Sequence, residues 1–351
     1  MTKRVRLKDV AAAAGVSQGT ASNVFNKPDL VTPQMRAAVE AAAERLGYRG
    51  PQAAARLLRS GKAGLVALLT DESAAELVQN SYGRRILAGA AQGCDAAGVG
   101  LSIVGRTAAD GAAGWSVDTA IADGFVLYCF EGEDDIAGRI ARRGLPFVTI
   151  DGPRGAGLGT VGVDDEGAAE SVMAHLTGLG HRRIGALSLE VSRNADPGPL
   201  TGPFGARYRT PGLRLAGYAR AHAAAGNAPA DFLPFHTLSD ERSVAMGLAW
   251  LFDRPDPPTA IAAMSDAIAM MAMAELRARG LSVPDDVSVA GFDGVTEGAY
   301  ADPPLTTVIQ PAEDKGLAAL EMLLGTRPPA DLILPTELIV RASTAAPRRM
   351  S

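Results

Sequence analysis

Apolar positions in the first fifty residues recur at helical spacing, whereas beyond residue 64 they gather into short runs separated by amphipathic stretches. Leu7, Val10, Ala11 and Ala14 follow an i, i+3, i+4, i+7 pattern, which predicts a short helix stopped by Gly15. Ser17 is suited to cap a second helix from Gln18 to about Asn26, with Thr20, Ala21, Val24 and Phe25 on one side. Gln18, Gly19, Ser22, Asn23 and Asn26 share the other side, an uncharged face of amides and a hydroxyl. A third helix takes Thr32 as cap and Pro33 as its first residue, buries Met35, Val39, Ala42 and Leu46, and ends at Gly47. Helix, glycine turn, helix, loop, helix is a helix-turn-helix pattern, and a hydrogen-bonding face without charge suits a DNA groove.

Downstream, apolar runs at 65–69, 101–104, 125–130, 147–150, 184–189, 260–264 and 287–292 read as strands. Helical patterns at 83–97, 166–179, 214–225 and 266–279 carry the crossovers, so the body is a parallel α/β structure that binds ligands beyond the carboxyl ends of its strands. Four such ends lead into a carboxylate: Asp71, Asp151, Asp266 and Asp293. Asp266 also fits as the cap of the helix it opens. A carboxylate accepts two hydrogen bonds in one plane, which suits adjacent hydroxyls of a sugar or nucleoside, and an arginine offers the matching donor fork.

Composition adds little until charge is divided along the chain. The 351 residues, 47% hydrophobic and 21% charged, describe an ordinary globular protein of two or three domains. Residues 1–62 hold 11 Lys and Arg against 4 Asp and Glu, while the remainder holds 23 against 35. A basic head on an acidic body points to a polyanionic partner for the head. Cys94 and Cys129 lie in apolar segments and read as buried free thiols, and the four histidines show neither metal nor triad spacing. His181 reads as structural. No cofactor or metal is expected. With no apolar run of about 18 residues and no leader pattern, the expectation is a cytoplasmic protein without a membrane span.

Two enzyme-like motifs fail on context. Gly15-Val16-Ser17-Gln18-Gly19 matches a nucleophile elbow, but an alanine-rich helix former precedes it where a strand is required. Gly61-Lys62 lacks the earlier glycine of a phosphate loop, since position 56 is Arg56.

Leu7-Lys8-Asp9-Val10-Ala11, Gly15-Val16-Ser17, Thr20-Ala21-Ser22 and Val24-Phe25-Asn26 resemble the headpiece of the lactose-repressor (LacI/GalR) family of bacterial transcription regulators. Further matches stand at Gly180-His181-Arg182-Arg183-Ile184, Gly291-Phe292-Asp293 and 304–311. The resemblance implies a headpiece over 1–50, a hinge over 51–62, and an effector-binding and dimerisation domain over 63–351. That domain would resemble periplasmic sugar-binding proteins, with subdomains of about 63–162 with 292–324 and 163–291 with 325–351. It also implies that Gln18, Gly19, Thr20, Ser22, Asn23 and Asn26 meet DNA. Gly19 has no side chain to read with, and Asn23 stands where members often carry Arg, which favours adenine over guanine at that base.

In such regulators the hinge forms a short helix on the operator and wedges a leucine into the minor groove. The Ala-Arg-x-Leu-Arg-x-Gly pattern makes Leu58 that wedge, with Ala55 beside the DNA, while counting forward from Tyr48 selects Leu57. The same resemblance places Asp151, Arg214, Asp293, Tyr128, Ser265 and Gln310 beside an effector, and the strand-end reading adds Asp71 and Asp266 to that set. It implies a homodimer on a palindromic operator in double-stranded DNA, most simply a repressor controlled by a carbohydrate or nucleoside effector. The segment 191–211, rich in Pro and Gly, reads as a flap or an insertion, and no leucine-heptad tail follows Arg341. The different-class alternative is a cytoplasmic α/β binding protein or enzyme with an incidental headpiece, for which no convergent nucleophile, base or metal set is visible.

Overall fold

The computed structural model describes residues 5–49, 61–105, 116–130, 135–192, 195–201 and 208–348. They form two compact units that divide between Gly64 and Leu65. The hinge residues Ala55 and Leu58, with the alternative Leu57, lie outside the described residues.

In the first unit, α1 (Leu7–Ala13) begins where Asp9 accepts a hydrogen bond from the Arg6 amide, 2.8 Å away. Gly15, at φ 66°, takes the left-handed turn that a side chain would resist. α2 (Gln18–Asn26) is capped by Ser17, whose Oγ accepts from the Thr20 amide at 3.0 Å, and α3 (Pro33–Arg45) is capped by Thr32. The three helices pack on a core of Val10, Ala11, Ala21, Val24, Val39, Ala42 and Ala43. Met35 and Leu46, expected inside, are exposed: they stand at the two ends of α3, and the small Ala43 is buried in the core instead.

The second unit contains two sheets. Five parallel strands open the first: β1 (Leu65–Thr70), β2 (Gly100–Gly105), β3 (Gly124–Tyr128), β4 (Phe147–Ile150) and β5 (Thr160–Val163). Flanking helices are α4 (Ala74–Gln79), α5 (Ser81–Ala97) and α6 (Ile136–Arg142). The chain then runs through α7 (Asp165–Gly178) into β6 (Ile184–Ser188), β7 (Gly198–Pro199), α8 (Arg209–Ala224), β8 (Phe232–His236), α9 (Glu241–Phe252), β9 (Ala260–Ala263) and α10 (Asp266–Ala278). It continues with β10 (Ser288–Asp293), α11 (Thr296–Ala299), β11 (Thr306–Ile309), α12 (Ala312–Leu323), β12 (Leu332–Leu334) and β13 (Glu337–Ile339). The strand orders are β12-β5-β4-β3-β1-β2 and β13-β11-β10-β9-β6-β8-β7.

These orders define two lobes and move two of the expected crossings. The first crossing follows Val163, next to the expected position near Gly162. β10 and β11 pair with each other in the second sheet, so the chain returns to the first lobe only after Gln310, not near Phe292. The last crossing falls between Leu334 and Glu337 rather than near Gly325, because β12 closes the edge of the first sheet beside β5. The physical reason is pairing: Gly291–Asp293 already bonds to Thr307–Ile309 along a parallel ladder, which holds both strands in one sheet.

Glycines set the helix spacing in both lobes. A Cβ on Gly316 of α12 would stand 2.1 Å from the Ile86 carbonyl of α5, and one on Gly89 would overlap the Glu313 carbonyl. In the second lobe Gly217 brings α8 against the Glu166 carbonyl of α7 in the same way. Among the described residues, no helix is long and apolar enough to cross a membrane.

Candidate functional site

The outward face of α2 is short of charge and partly pre-bonded. Gln18 and Gly19 are exposed, while Thr20, Ser22, Asn23 and Asn26 are half-buried. The Thr20 hydroxyl lies 2.9 Å from the Ser17 cap, and the Asn26 amide donates to the Ser22 carbonyl at 2.7 Å and to its hydroxyl at 3.2 Å. These bonds hold the two ends of the face, leaving Gln18, Gly19 and Asn23 as the outward positions. Ser17 is therefore a helix cap and not a nucleophile, as its context predicts.

A second constellation lies between the lobes of the larger unit, where Asp151 follows β4, Asp293 ends β10 and Gln310 follows β11. Asp151 sits at φ 56° and Asp293 at φ 120°, left-handed conformations that cost side-chain-bearing residues and that collect at functional strand ends. From Asp151 a chain of contacts runs across the crossing. Lys315 Nζ donates to Asp151 Oδ1 at 2.6 Å, to Gln310 Oε1 at 2.8 Å and to Tyr82 Oη at 2.9 Å. Gln310 Nε2 donates to Asp293 Oδ1 at 2.8 Å, and the Arg214 guanidinium stands 3.9 Å from that same oxygen. Arg214 Nε donates to Asp165 Oδ1 at 2.9 Å, NH1 donates to the Met264 carbonyl, and its carbon lies 3.7 Å from the Phe292 ring centroid. Asp151, Tyr82 and Lys315 come from the first lobe, Asp293, Arg214 and Asp165 from the second, and Gln310 joins them.

Burial governs the electrostatics. Desolvation pushes the Asp293 carboxyl up to about 8; the nearby Arg214 lowers it and Asp266 raises it further. Asp266 is pushed up to about 6 by burial, against hydrogen bonds from Thr307 and Val295. For Arg214 burial opposes the charge, but Asp165 and Asp293 more than offset it and hold the guanidinium charged. Burial also raises the phenols of Tyr82 and Tyr128, with Asp151 adding to both.

The predicted site residues divide accordingly. Asp151, Arg214, Asp293 and Gln310 join the chain, and Tyr128 ends β3 close enough to Asp151 for the carboxylate to raise its phenol further. Asp71 follows β1 and is half-buried. Ser265, rather than Asp266, caps α10, its Oγ accepting from the Ile268 amide at 3.1 Å. Asp266 accepts from the Val295 amide at 2.8 Å and from the Thr307 hydroxyl, which ties the loop after β10 to β11. Cys94 is buried but Cys129 is exposed, because β3 ends at Tyr128 and Cys129 turns out of it at φ 50°. His181 joins Thr259, Ser288 and the Ala345 carbonyl, a structural tie.

Three participants escaped the sequence reading: Lys315, Tyr82 and Asp165. Lys315 carried a signal, since it falls with Ala312, Gly316, Ala319 and Leu323 on the buried stripe of an amphipathic helix. Beside the Arg214–Asp165 pair opens a recess of about 410 Å³, walled by Pro153 and Arg154 after β4, Asp164 at the crossing, and Arg209 and Leu213 of α8. Among the described residues, no group of three His, Cys, Asp or Glu could hold a metal ion.

Comparison with known proteins bears on both constellations. Residues 6–50 match "Bacterial regulatory proteins, lacI family", and residues 173–344 match a "Periplasmic binding protein-like domain". The HTH-type transcriptional regulator Rv3575c of Mycobacterium tuberculosis is 37% identical over 362 residues, covering 98% of each chain. A solved complex of the transcriptional regulator CelR with cellobiose is 29% identical, with a TM-score of 0.67 over 97% of this chain and 100% of that one. The lac repressor dimer bound to operator, 24% identical, shares the fold at a TM-score of 0.75 over 98% of this chain and 100% of that one.

Proposed function

The chain belongs to the lacI family of bacterial regulatory proteins, and on that premise we propose that it is a repressor whose hold on DNA is set by a small carbohydrate or nucleoside-like effector. It is a DNA-binding transcriptional regulator and not an enzyme. Gln18 and Asn23 of α2 read base edges in the major groove and Gly19 lets the backbone lie close to it, with Thr20, Ser22 and Asn26 holding that face in shape. Ala55 and Leu58 of the hinge meet the minor groove. One headpiece buries too little surface for tight specific binding, so a homodimer on a palindromic site is the working unit, and it acts where the chromosome is, in the cytoplasm.

The observation that carries the regulatory half is the polar chain from Asp151 through Gln310 and Asp293 to Arg214, which joins two lobes across their crossings. An effector held by Asp151, Arg214, Asp293, Gln310, Tyr128 and Asp71 exchanges these internal bonds for its own and so favours one lobe arrangement over another. Ser265 and Asp266 support the rim. Selection of bound duplexes from a random library tests the first half: a palindrome should emerge with wild type. Addition of cellobiose, ribose, sucrose or adenosine tests the second: one of them should change affinity for that palindrome. No enrichment, or no response to any sugar or nucleoside, contradicts the respective half.

A further inference from the structure

Lys315 is the least expected member of the chain, a fully buried ammonium on a helix whose other buried residues are Ala, Gly, Leu and Met. Its desolvation is met by three acceptors, Asp151 Oδ1, Gln310 Oε1 and Tyr82 Oη. Fold stability does not account for it, because a buried ion pair replaced by apolar side chains of similar volume is often neutral or stabilising. An ammonium differs from every other group here in one respect: it only donates. Gln310 must therefore turn Oε1 toward Lys315, which sends Nε2 toward Asp293 at 2.8 Å. Tyr82 alone would not fix that choice, since a hydroxyl can donate or accept.

We infer that Lys315 is a specificity-determining residue of the cleft, setting the direction of the hydrogen-bond chain between the lobes and the polarity a ligand meets at its Asp151 end. This rests on the effector site proposed above. With Asp151 Oδ1 and Gln310 Oε1 both engaged by the ammonium, Asp151 presents Oδ2, on which the Tyr82 hydroxyl lies 3.4 Å away. A ligand at that end must donate, as a hydroxyl or an amine does, and it meets one carboxylate oxygen rather than the planar pair that two adjacent hydroxyls would use. Lys315 acts through Asp151 and Gln310 and is a positioning residue rather than a ligand contact.

The test is titration calorimetry of full-length wild type and K315M with cellobiose, ribose, sucrose and adenosine, alongside the melting temperature of each protein. The expected result is at least a fivefold loss of affinity in K315M for the probe that wild type binds best, whatever the change in melting temperature. A K315M protein that melts at a different temperature but binds that probe within fivefold of wild type overturns the assignment and leaves the cleft reading standing. Wild type binding none of the four overturns both. Should K315M fail to fold, K315Q, which puts a neutral amide in place of the ammonium and so loses the charge and the donor-only character, is read against the same fivefold line.

Discussion

The outward face of α2 and the chain from Asp151 to Asp165 solve opposite problems with polar side chains. The first presents amides and hydroxyls to solvent without a formal charge, and the second buries Lys315 and Arg214 against Asp151, Asp293 and Asp165. Neutral amides exchange water for base edges at little cost, which suits a reversible association whose strength comes from many phosphate contacts and whose choice comes from a few bases. Buried ions are held by the counter-charges and acceptors packed around them, so anything that enters must replace one set of partners with another. The first arrangement recognises and the second switches.

Breaking one region should leave the other working, and the largest expected effect is Arg214→Ala. It leaves Asp165 and Asp293 without their shared cation, and the response to any effector should disappear while palindrome affinity, read by fluorescence anisotropy, stays within about twofold. Loss of both together would mean that the regions are not separable. Asn23→Ala addresses the other side: specific affinity should fall by about 1–3 kcal/mol, with binding to random duplex unchanged. An equal fall on both duplexes would assign Asn23 to phosphates instead.

Gly316→Ala sharpens the comparison by loosening the packing of α12 on α5 next to Lys315. A Cβ 2.1 Å from the Ile86 carbonyl forces α5 and α12 apart, and urea unfolding should show a loss of about 1–3 kcal/mol. The smallest effect is a slope with pH. Folded Asp293 keeps its proton to about 8, whereas in the unfolded chain it titrates near its ordinary 3.8, so the folded state binds more protons across that window. Its contribution to stability therefore falls as pH rises from about 4 to about 8, and Asp293→Asn should flatten that part of the curve. A variant with the wild-type slope would show that the proton sits elsewhere.

How much was legible in the sequence follows the same division. The α2 face is one contiguous segment whose cap, period and polarity are local properties, and Ser17, Gln18 and Asn26 fall where the pattern puts them. The strands ending before Asp71 and Asp151 and at Asp293 were legible as apolar runs with a polar stop. The chain around Lys315 was legible only in part: Asp151, Arg214, Asp293 and Gln310 were named, but its members come from α5, α7, α8, α12 and three strand ends, and only the topology brings Lys315, Tyr82 and Asp165 to them. Lys315 and Tyr82 look like ordinary helix residues until the stripe they lie on is seen to be buried. The edge strands β12 and β13 were missed for a related reason: at three residues each they carry too little period to read, and their pairing decides where the lobes divide.

The most direct test of the central claim, that the amide face of α2 reads bases, is an anisotropy titration of the selected palindrome and a scrambled duplex with wild type and with Q18A/N23A at fixed low salt. Wild type should prefer the palindrome by a factor on the order of a thousand, and the double variant should lose most of that preference while binding the scrambled duplex as before. Equal affinity of wild type for both duplexes, or an undiminished preference in the variant, would contradict the account.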